Sequence, residues 1–412
     1  MSQIVSPASP VPEDAARRRA IAFLNWAHAL DHFVMLIYPT IVIGLEVVYH
    51  RPYAELIALS TAAFVAFGVF SLPAGWLADR WSRRNMMAAF YLGAGLSLAG
   101  VAMSSTLVVL SVSMFGVGVF AAIYHPVGMP MLLEASKAQG RTVAFNGVCG
   151  NLGAALAAGV TAAIASWLGW RAAFFVPALV CIATGIGFLM LVPDDRHHTA
   201  KRQKVAEVEL PRRAAVIFLS LYVVISLAGG LTFNTISIAL PKIVDERLGA
   251  DVPLLLVGSL ATAVFMCGAV AQIVVGRLVE YFAPYRLFAV IVTFQFLGIL
   301  WAANTSGLML LAALAVTMAA IYGQVTVGDL VIARYTADAW RGRVYAVRYF
   351  FTFISSGVAV SIIAWLYSRG GFDLLLAAVA GIAGVFLAGV VGIVILVSGV
   401  ERAKRIAPLA AE

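Results

Sequence analysis

The chain has 412 residues, 62% of them hydrophobic and 12% charged, where soluble domains average about 45–50% apolar and about 25% charged. That balance excludes a soluble enzyme, a disordered chain and a nucleic-acid-binding domain. The net charge of +8 comes from 28 Lys and Arg against 20 Asp and Glu, and the basic residues lie in short clusters between long apolar runs, as in a protein that crosses a bilayer many times.

Twelve stretches are apolar over the roughly 20 residues that a spanning helix needs: 20–45, 54–78, 84–104, 107–134, 142–167, 171–192, 213–240, 254–277, 285–303, 306–334, 343–367 and 372–399. The polar tail 1–19 ends in Arg17-Arg18-Arg19, and the apolar run after it is too long for a cleaved signal peptide. Span one carries Asn25, His28, Asp31 and His32 on one helical face. Counted from Ala20, Asp31 lies about 16 Å into the bilayer at 1.5 Å per residue. Span four carries His125 directly before Pro126, which frees a backbone carbonyl one turn earlier. Span five carries Asn151 near the same depth. Asn234 follows in span seven, Gln272 in span eight, Gln324 and Asp329 in span ten, and Arg348 about one and a half turns into span eleven. Cys149, Cys181 and Cys267 all sit in apolar runs without a C-x-x-C pair, which points to buried inert thiols.

An even number of spans puts both termini on one side. That side collects 22 Lys and Arg in its tails and loops, against 5 on the other, so both termini are expected in the cytoplasm of a plasma-type membrane. The long charged linker 193–212 divides a first bundle, 20–192, from a second, 213–399, with a tail at 400–412. Its His197-His198 pair is read as solvated. The halves repeat: Pro39 and Pro241 stand 202 residues apart, as do Gly140-Arg141 and Gly342-Arg343, and Gly75 with Asp79 recurs as Gly276 with Glu280 at an offset of 201. Ala121-Ala122-Ile123-Tyr124 recurs as Ala319-Ala320-Ile321-Tyr322 at 198. Such a parallel repeat predicts two bundles rocking about a midplane site, and it maps His32 onto Asn234.

Gly75-Trp76-Leu77-Ala78-Asp79-Arg80-Trp81-Ser82-Arg83-Arg84 resembles the loop between spans two and three of the major facilitator superfamily, and the resemblance extends over essentially the whole chain. It implies that fold, all-α with twelve transmembrane helices in two six-helix bundles. It also implies a cytoplasmic gate at Gly75, Asp79, Arg80, Arg83 and Arg84, joined by Glu134, Arg141, Arg334 and Arg343. The alternative for these arginines is that they only set topology. Tyr124-His125-Pro126, and Gly140-Arg141 followed by Gly150-Asn151-Leu152-Gly153, are similar to elements of the fosmidomycin-resistance-like branch, which implies proton-driven efflux of a drug-like or anionic metabolite from a bacterial inner membrane.

Ionisable groups at bilayer depth mark function. His28, Asp31 and His32 are read as a proton or substrate site, with helix-to-helix adhesion and a metal site completed by His125 as alternatives. Arg348 either neutralises Asp329, binds an anionic substrate, or snorkels to the interface. The expected function is therefore proton-coupled secondary transport of a small organic solute by a monomer, with no cofactor. Import of an organic acid or siderophore-like compound, metal-ion transport, and a non-transporting sensor or assembly factor stand beside it. Ala157-Ala158, where antiporters of the superfamily often carry Gly-Pro, favours import. With no Gly-Lys-Ser/Thr loop and no Gly-x-Ser-x-Gly elbow, ATP-driven or hydrolytic chemistry is not expected.

Overall fold

The computed structural model describes residues 13–136, 139–193, 210–249, 252–336 and 338–406. Among them every regular element is helical. The first half comprises α1 (Glu13–Tyr49), α2 (Tyr53–Ala58), α3 (Thr61–Arg80), α4 (Arg83–Ala102), α5 (Leu107–Ala121), α6 (Met129–Ala135), α7 (Gln139–Leu168) and α8 (Ala172–Leu191). The second comprises α9 (Arg212–Leu248), α10 (Leu254–Leu278), α11 (Pro284–Ala303), α12 (Gly307–Tyr335) and α13 (Asp338–Ile406).

Among the described residues, eleven helical stretches are long and apolar enough to cross a membrane. The last, Val347–Ala403, is a pair of helices joined at Gly370–Gly371, whose backbone leaves the helical region; Gly371 has φ +57°, where a side chain would be strained. Local chemistry sets several starts. The Ser82 hydroxyl accepts from the Asn85 N–H at 3.2 Å and caps α4, and the Thr106 hydroxyl does the same for α5 through Val109. Pro284 opens α11, where its missing N–H costs nothing.

Three boundaries differ from the sequence expectation. Helix α1 begins at Glu13, inside the expected tail, because nothing in Asp14–Arg19 breaks a helix once the apolar run anchors it. The second expected span starts as the short α2 and turns at Leu59–Ser60 before α3. The fourth is divided between α5 and α6 by a π-helical turn, Tyr124–Gly128, centred on Pro126. The linker residues His197 and His198 lie outside the described residues.

Within the first half α1 packs chiefly on α7, and α4 on α5 and α8; within the second α9 packs on α13, and α11 on α12 and α13. The halves meet through α3 with α13, α7 with α10, and α1 with α9. Because the helices alternate in direction, the starts of α1 and α9 share one face, called here the basic face; the ends of α1 and α9 and the Gly370–Gly371 break share the far face. Of the cysteines, Cys181 is buried, Cys149 is half-buried and Cys267 is exposed on α10. The expectation of burial fails at Cys267 because an apolar helix in a bilayer turns part of its surface to lipid rather than to protein.

Candidate functional site

The polar stripe of α1 lies about the middle of the helix. Asp31 stands eighteen residues from either end of α1. The α1 stripe meets the π-helical turn and α7. His28 Nδ1 lies 2.8 Å from the backbone oxygen of Asn146, on α7, and His28 Nε2 lies 3.2 Å from His32 Nε2. A carbonyl oxygen only accepts, so His28 Nδ1 carries the hydrogen. In the neutral ring Nε2 is then an acceptor, and His32 donates to it. The His28 ring stacks on Tyr124 at 4.8 Å and meets His125 edge-on at 5.4 Å.

Asp31 is 1% exposed, and among the described residues neither carboxylate oxygen has a hydrogen-bond partner. Its ionisable neighbour is His125, with Nε2 3.4 Å from Oδ2. His125 also packs against Phe67 at 6.2 Å and, across the gap between halves, against Phe353 at 5.2 Å. The π turn carries His125 into this position: the wider turn at Pro126 lets Tyr124 and His125 both reach α1.

Asn146 is the hub that sequence reasoning missed. Fully buried, it accepts from the Tyr124 hydroxyl at 3.0 Å, and its amide donates to Asn25 Oδ1 at 3.0 Å and to the Leu24 carbonyl at 3.4 Å. The signal was present: the 202-residue offset places Asn146 opposite Arg348. The Gly150-Asn151-Leu152-Gly153 motif has a steric meaning. A Cβ on Gly150 would sit 2.5 Å from His28 Nε2, and one on Gly153 would sit 2.0 Å from the Ala29 carbonyl oxygen. Asn151 itself is half-buried, with an amide nitrogen that finds no partner.

The second half contributes a separate pair. Arg348 forms an ion pair with Asp329 and donates from Nη2 to the Val325 carbonyl at 3.3 Å. Of the three readings for Arg348, neutralising Asp329 is the one its geometry displays. Asn234 does not join the histidines; its amide donates to the Gly230 and Thr352 carbonyls and the Ser355 hydroxyl, tying α9 to α13. Gln324 is buried in α12, and Gln272 donates to the Thr326 hydroxyl at 3.0 Å.

At the basic face, Arg83 bridges Asp79 at 3.1 Å and Glu134 more closely. Arg84 donates to the Val192 carbonyl at 2.6 Å and to that of Leu189, at the end of α8. Arg80 lies over the Trp76 ring one turn away. Gly75 lies against Pro126 of the π turn. These contacts all lie within the first half, and all but Arg80 with Trp76, which is internal to α3, join one helical segment to another. Arg141 is exposed, and the side chain of Arg343 lies outside the described part of the molecule.

At the far face the two halves are clasped by groups that the sequence reading also passed over. Lys242, with a side chain 8% exposed, bonds Glu46 at 2.5 Å and Asp245 at 2.9 Å, with Glu246 at 3.4 Å. Tyr367 hydrogen-bonds Glu246 and packs edge-on against Tyr53 at 4.9 Å. Deeper, the Thr262 hydroxyl donates to the Ala155 carbonyl at 2.6 Å, and Ser356 donates to that of Phe64 at 3.1 Å. A lysine and three carboxylates at the far ends of apolar helices were the available signal.

Chemically, the midplane cluster offers a buried carboxyl beside an imidazole, which can exchange a proton, and three imidazoles whose nearest ring nitrogens lie within 4.8 Å of one another, close enough to converge on a metal ion.

Comparison with known proteins agrees with this architecture. A probable 4-methylmuconolactone transporter from Cupriavidus pinatubonensis (strain JMP 134 / LMG 1197) is 28% identical over 257 residues, 59% of this chain and 57% of that protein. A chloramphenicol resistance protein from Streptomyces lividans is 26% identical over 242 residues, 56% of this chain and 59% of that protein. A probable L-galactonate transporter from Escherichia coli (strain K12) is 28% identical over 147 residues, 35% of this chain and 32% of that protein. The chain thus matches between a third and three fifths of the length of these relatives. A bacterial homologue of the human lysosomal transporter Spinster, solved in an inward-facing and unoccupied conformation, superimposes with a TM-score of 0.69 at 15% identity, over 92% of this chain and 95% of that one, a likeness of fold alone. The profile of the Major Facilitator Superfamily matches residues 21–258, more than half of the sequence. The chain belongs to the Major Facilitator Superfamily.

Proposed function

We propose that this protein is a secondary transporter of a small organic solute, working by alternating access, with proton movement coupled at Asp31 and His125. The observation that carries the reading is the buried Asp31 carboxyl, without a hydrogen-bond donor at the midpoint of α1, beside an imidazole 3.4 Å away. An ionised group at that depth costs about 2.5–3.5 kcal/mol or more and is kept for a use. Twelve spans in two six-helix bundles follow when α13 is counted as two helices at Gly370–Gly371. The 22 Lys and Arg counted on the basic side in the sequence support a cytoplasmic location for both termini, and the resemblance implies a bacterial inner membrane.

In this reading the clasp of Glu46 with Lys242 and the Tyr53–Tyr367 contact close the far face, and the Arg83–Glu134 pair belongs to the gate on the basic side. The relatives named for galactonate, methylmuconolactone and chloramphenicol resistance support a small organic solute. Efflux, driven by protons entering, is the favoured direction, in keeping with the resemblance of Tyr124-His125-Pro126 to the fosmidomycin-resistance-like branch. The protein acts as a monomer and needs no cofactor.

The test is lumenal pH in proteoliposomes carrying wild type or Asp31→Asn, with chloramphenicol, galactonate and 4-methylmuconolactone added in turn. The expected result is a solute-triggered pH change that Asp31→Asn abolishes while solute exchange at equal concentrations continues. An undiminished pH change in Asp31→Asn overturns the coupling assignment.

A second reading, metal-ion transport, is favoured by the convergence of His28, His32 and His125. It predicts saturable zinc or nickel uptake into the same vesicles, lost in a His28→Ala, His32→Ala double variant.

A further inference from the structure

Tyr345, Tyr349 and Phe353 recur every four residues on α13 and so form one stripe. Their rings are nearly parallel, 6.1 Å and 19° apart for Tyr345–Tyr349 and 5.9 Å and 18° for Tyr349–Phe353. One end of the stripe meets the midplane cluster, with Phe353 at 5.2 Å from His125 and 5.3 Å from Phe67. The other end meets α12, where the Tyr345 hydroxyl donates to the Asp329 backbone oxygen at 2.7 Å. The stripe thus meets the first half at Phe353 and α12 of its own half at Tyr345. Tyr349, at its centre, is nevertheless 43% exposed. Arg348 stands beside it, its guanidinium 5.9 Å from the Tyr349 ring and paired with Asp329, whose side chain is 34% exposed.

We infer that the solute is a planar, ring-bearing monocarboxylate, held with its ring on Tyr349 and Phe353 and its carboxylate on Arg348 in place of Asp329. The inference rests on the transport reading above and names the substrate class of the same central site. Three features of the stripe and its arginine select for this chemistry. The guanidinium fork matches a carboxylate with two parallel bonds. The Asp329 carboxylate that the solute displaces has a side chain 34% exposed, so on leaving Arg348 it is rehydrated or takes a proton rather than standing as a dry uncompensated ion. Aromatic faces reward a flat ring, whereas a polyhydroxylated acid would have to shed water from its hydroxyls against apolar rings. A flat cation would have the aromatic faces but would meet the Arg348 charge.

The probe is benzoate, titrated calorimetrically into the purified full-length protein in detergent, beside methyl benzoate, benzyltrimethylammonium and gluconate. Benzoate is expected to bind saturably and at least tenfold more tightly than the other three. Arg348→Gln should lower benzoate affinity at least tenfold, and Tyr349→Leu several-fold, in samples that elute as monodisperse wild type does. Should Arg348→Gln fail to fold, Tyr349→Leu and the wild-type comparison of benzoate with its ester carry the decision. The inference is overturned by absence of saturable benzoate binding, by equal binding of the ester or the cation, or by unchanged affinity in both variants. Counterflow of labelled benzoate separates the two readings. Binding without exchange keeps this site and removes transport of the acid; chloramphenicol exchange by a protein that does not bind benzoate keeps transport and removes this site.

Discussion

His28 Nδ1 is bonded to the backbone oxygen of Asn146 at 2.8 Å, while the side chain of the same asparagine gathers Tyr124 and Asn25. One residue thus sets the hydrogen position on His28 through its main chain and the position of the stacked Tyr124 through its amide. Asn146→Ala keeps the first contact and removes the second. It leaves the Tyr124 hydroxyl and the Asn25 amide oxygen buried without their partner, at about 1–3 kcal/mol each. The expected outcome is a clear fall in detergent melting temperature with solute exchange reduced, checked by thermal unfolding and counterflow on the same preparation.

Gly150 and Gly153 should behave differently although they lie one turn apart. The Cβ of Gly150→Ala would press on an imidazole, which has a rotamer to yield; that of Gly153→Ala would press on the Ala29 main chain, which has none. Gly153→Ala is expected to cost more stability, on the order of 1–3 kcal/mol for overpacking, whereas Gly150→Ala should impair transport more than it lowers the melting temperature. Equal losses of stability would contradict the assignment.

Lys242 is surrounded by Glu46, Asp245 and Glu246 and is nearly buried, so removing it leaves three carboxylates facing one another. Breaking a buried pair by deleting one partner is far more costly than loss of an exposed one. Lys242→Met should therefore loosen the far face. Lys242→Met is expected to melt below wild type in the same detergent, as thermal unfolding would read.

The arginines of the basic face divide by partner. Arg84 satisfies two carbonyls at the end of α8, and Arg80 stacks on its own neighbour Trp76. Arg84→Ala is expected to cost about 1–3 kcal/mol through orphaned carbonyls, and Arg80→Ala less than about 0.5 kcal/mol. Thermal unfolding of the two variants in the same detergent checks the order.

The polar stripe on α1 could be read in advance because helical periodicity alone puts Asn25, His28, Asp31 and His32 on one face. The π turn was foreshadowed by His125-Pro126, since a proline removes a donor wherever it falls in a helix. The Gly150 and Gly153 contacts were not legible. A glycine records that something comes close, and only the packed neighbour says what.

Local chemistry in the sequence therefore determined the apolar spans, the uneven spread of basic residues between them, the repeated landmarks and the polar residue types within each span, because each depends on hydrophobicity, charge or period within the sequence itself. The tertiary structure decided which of those groups meet. It brought Asn146 to Tyr124, His125 to Asp31, and Lys242 to Glu46 across 196 residues, and it left Asn234 outside the histidine cluster despite its place in the repeat. Such meetings depend on how helices from distant parts of the chain pack and rotate against one another, a property of pairs of surfaces that no single segment carries.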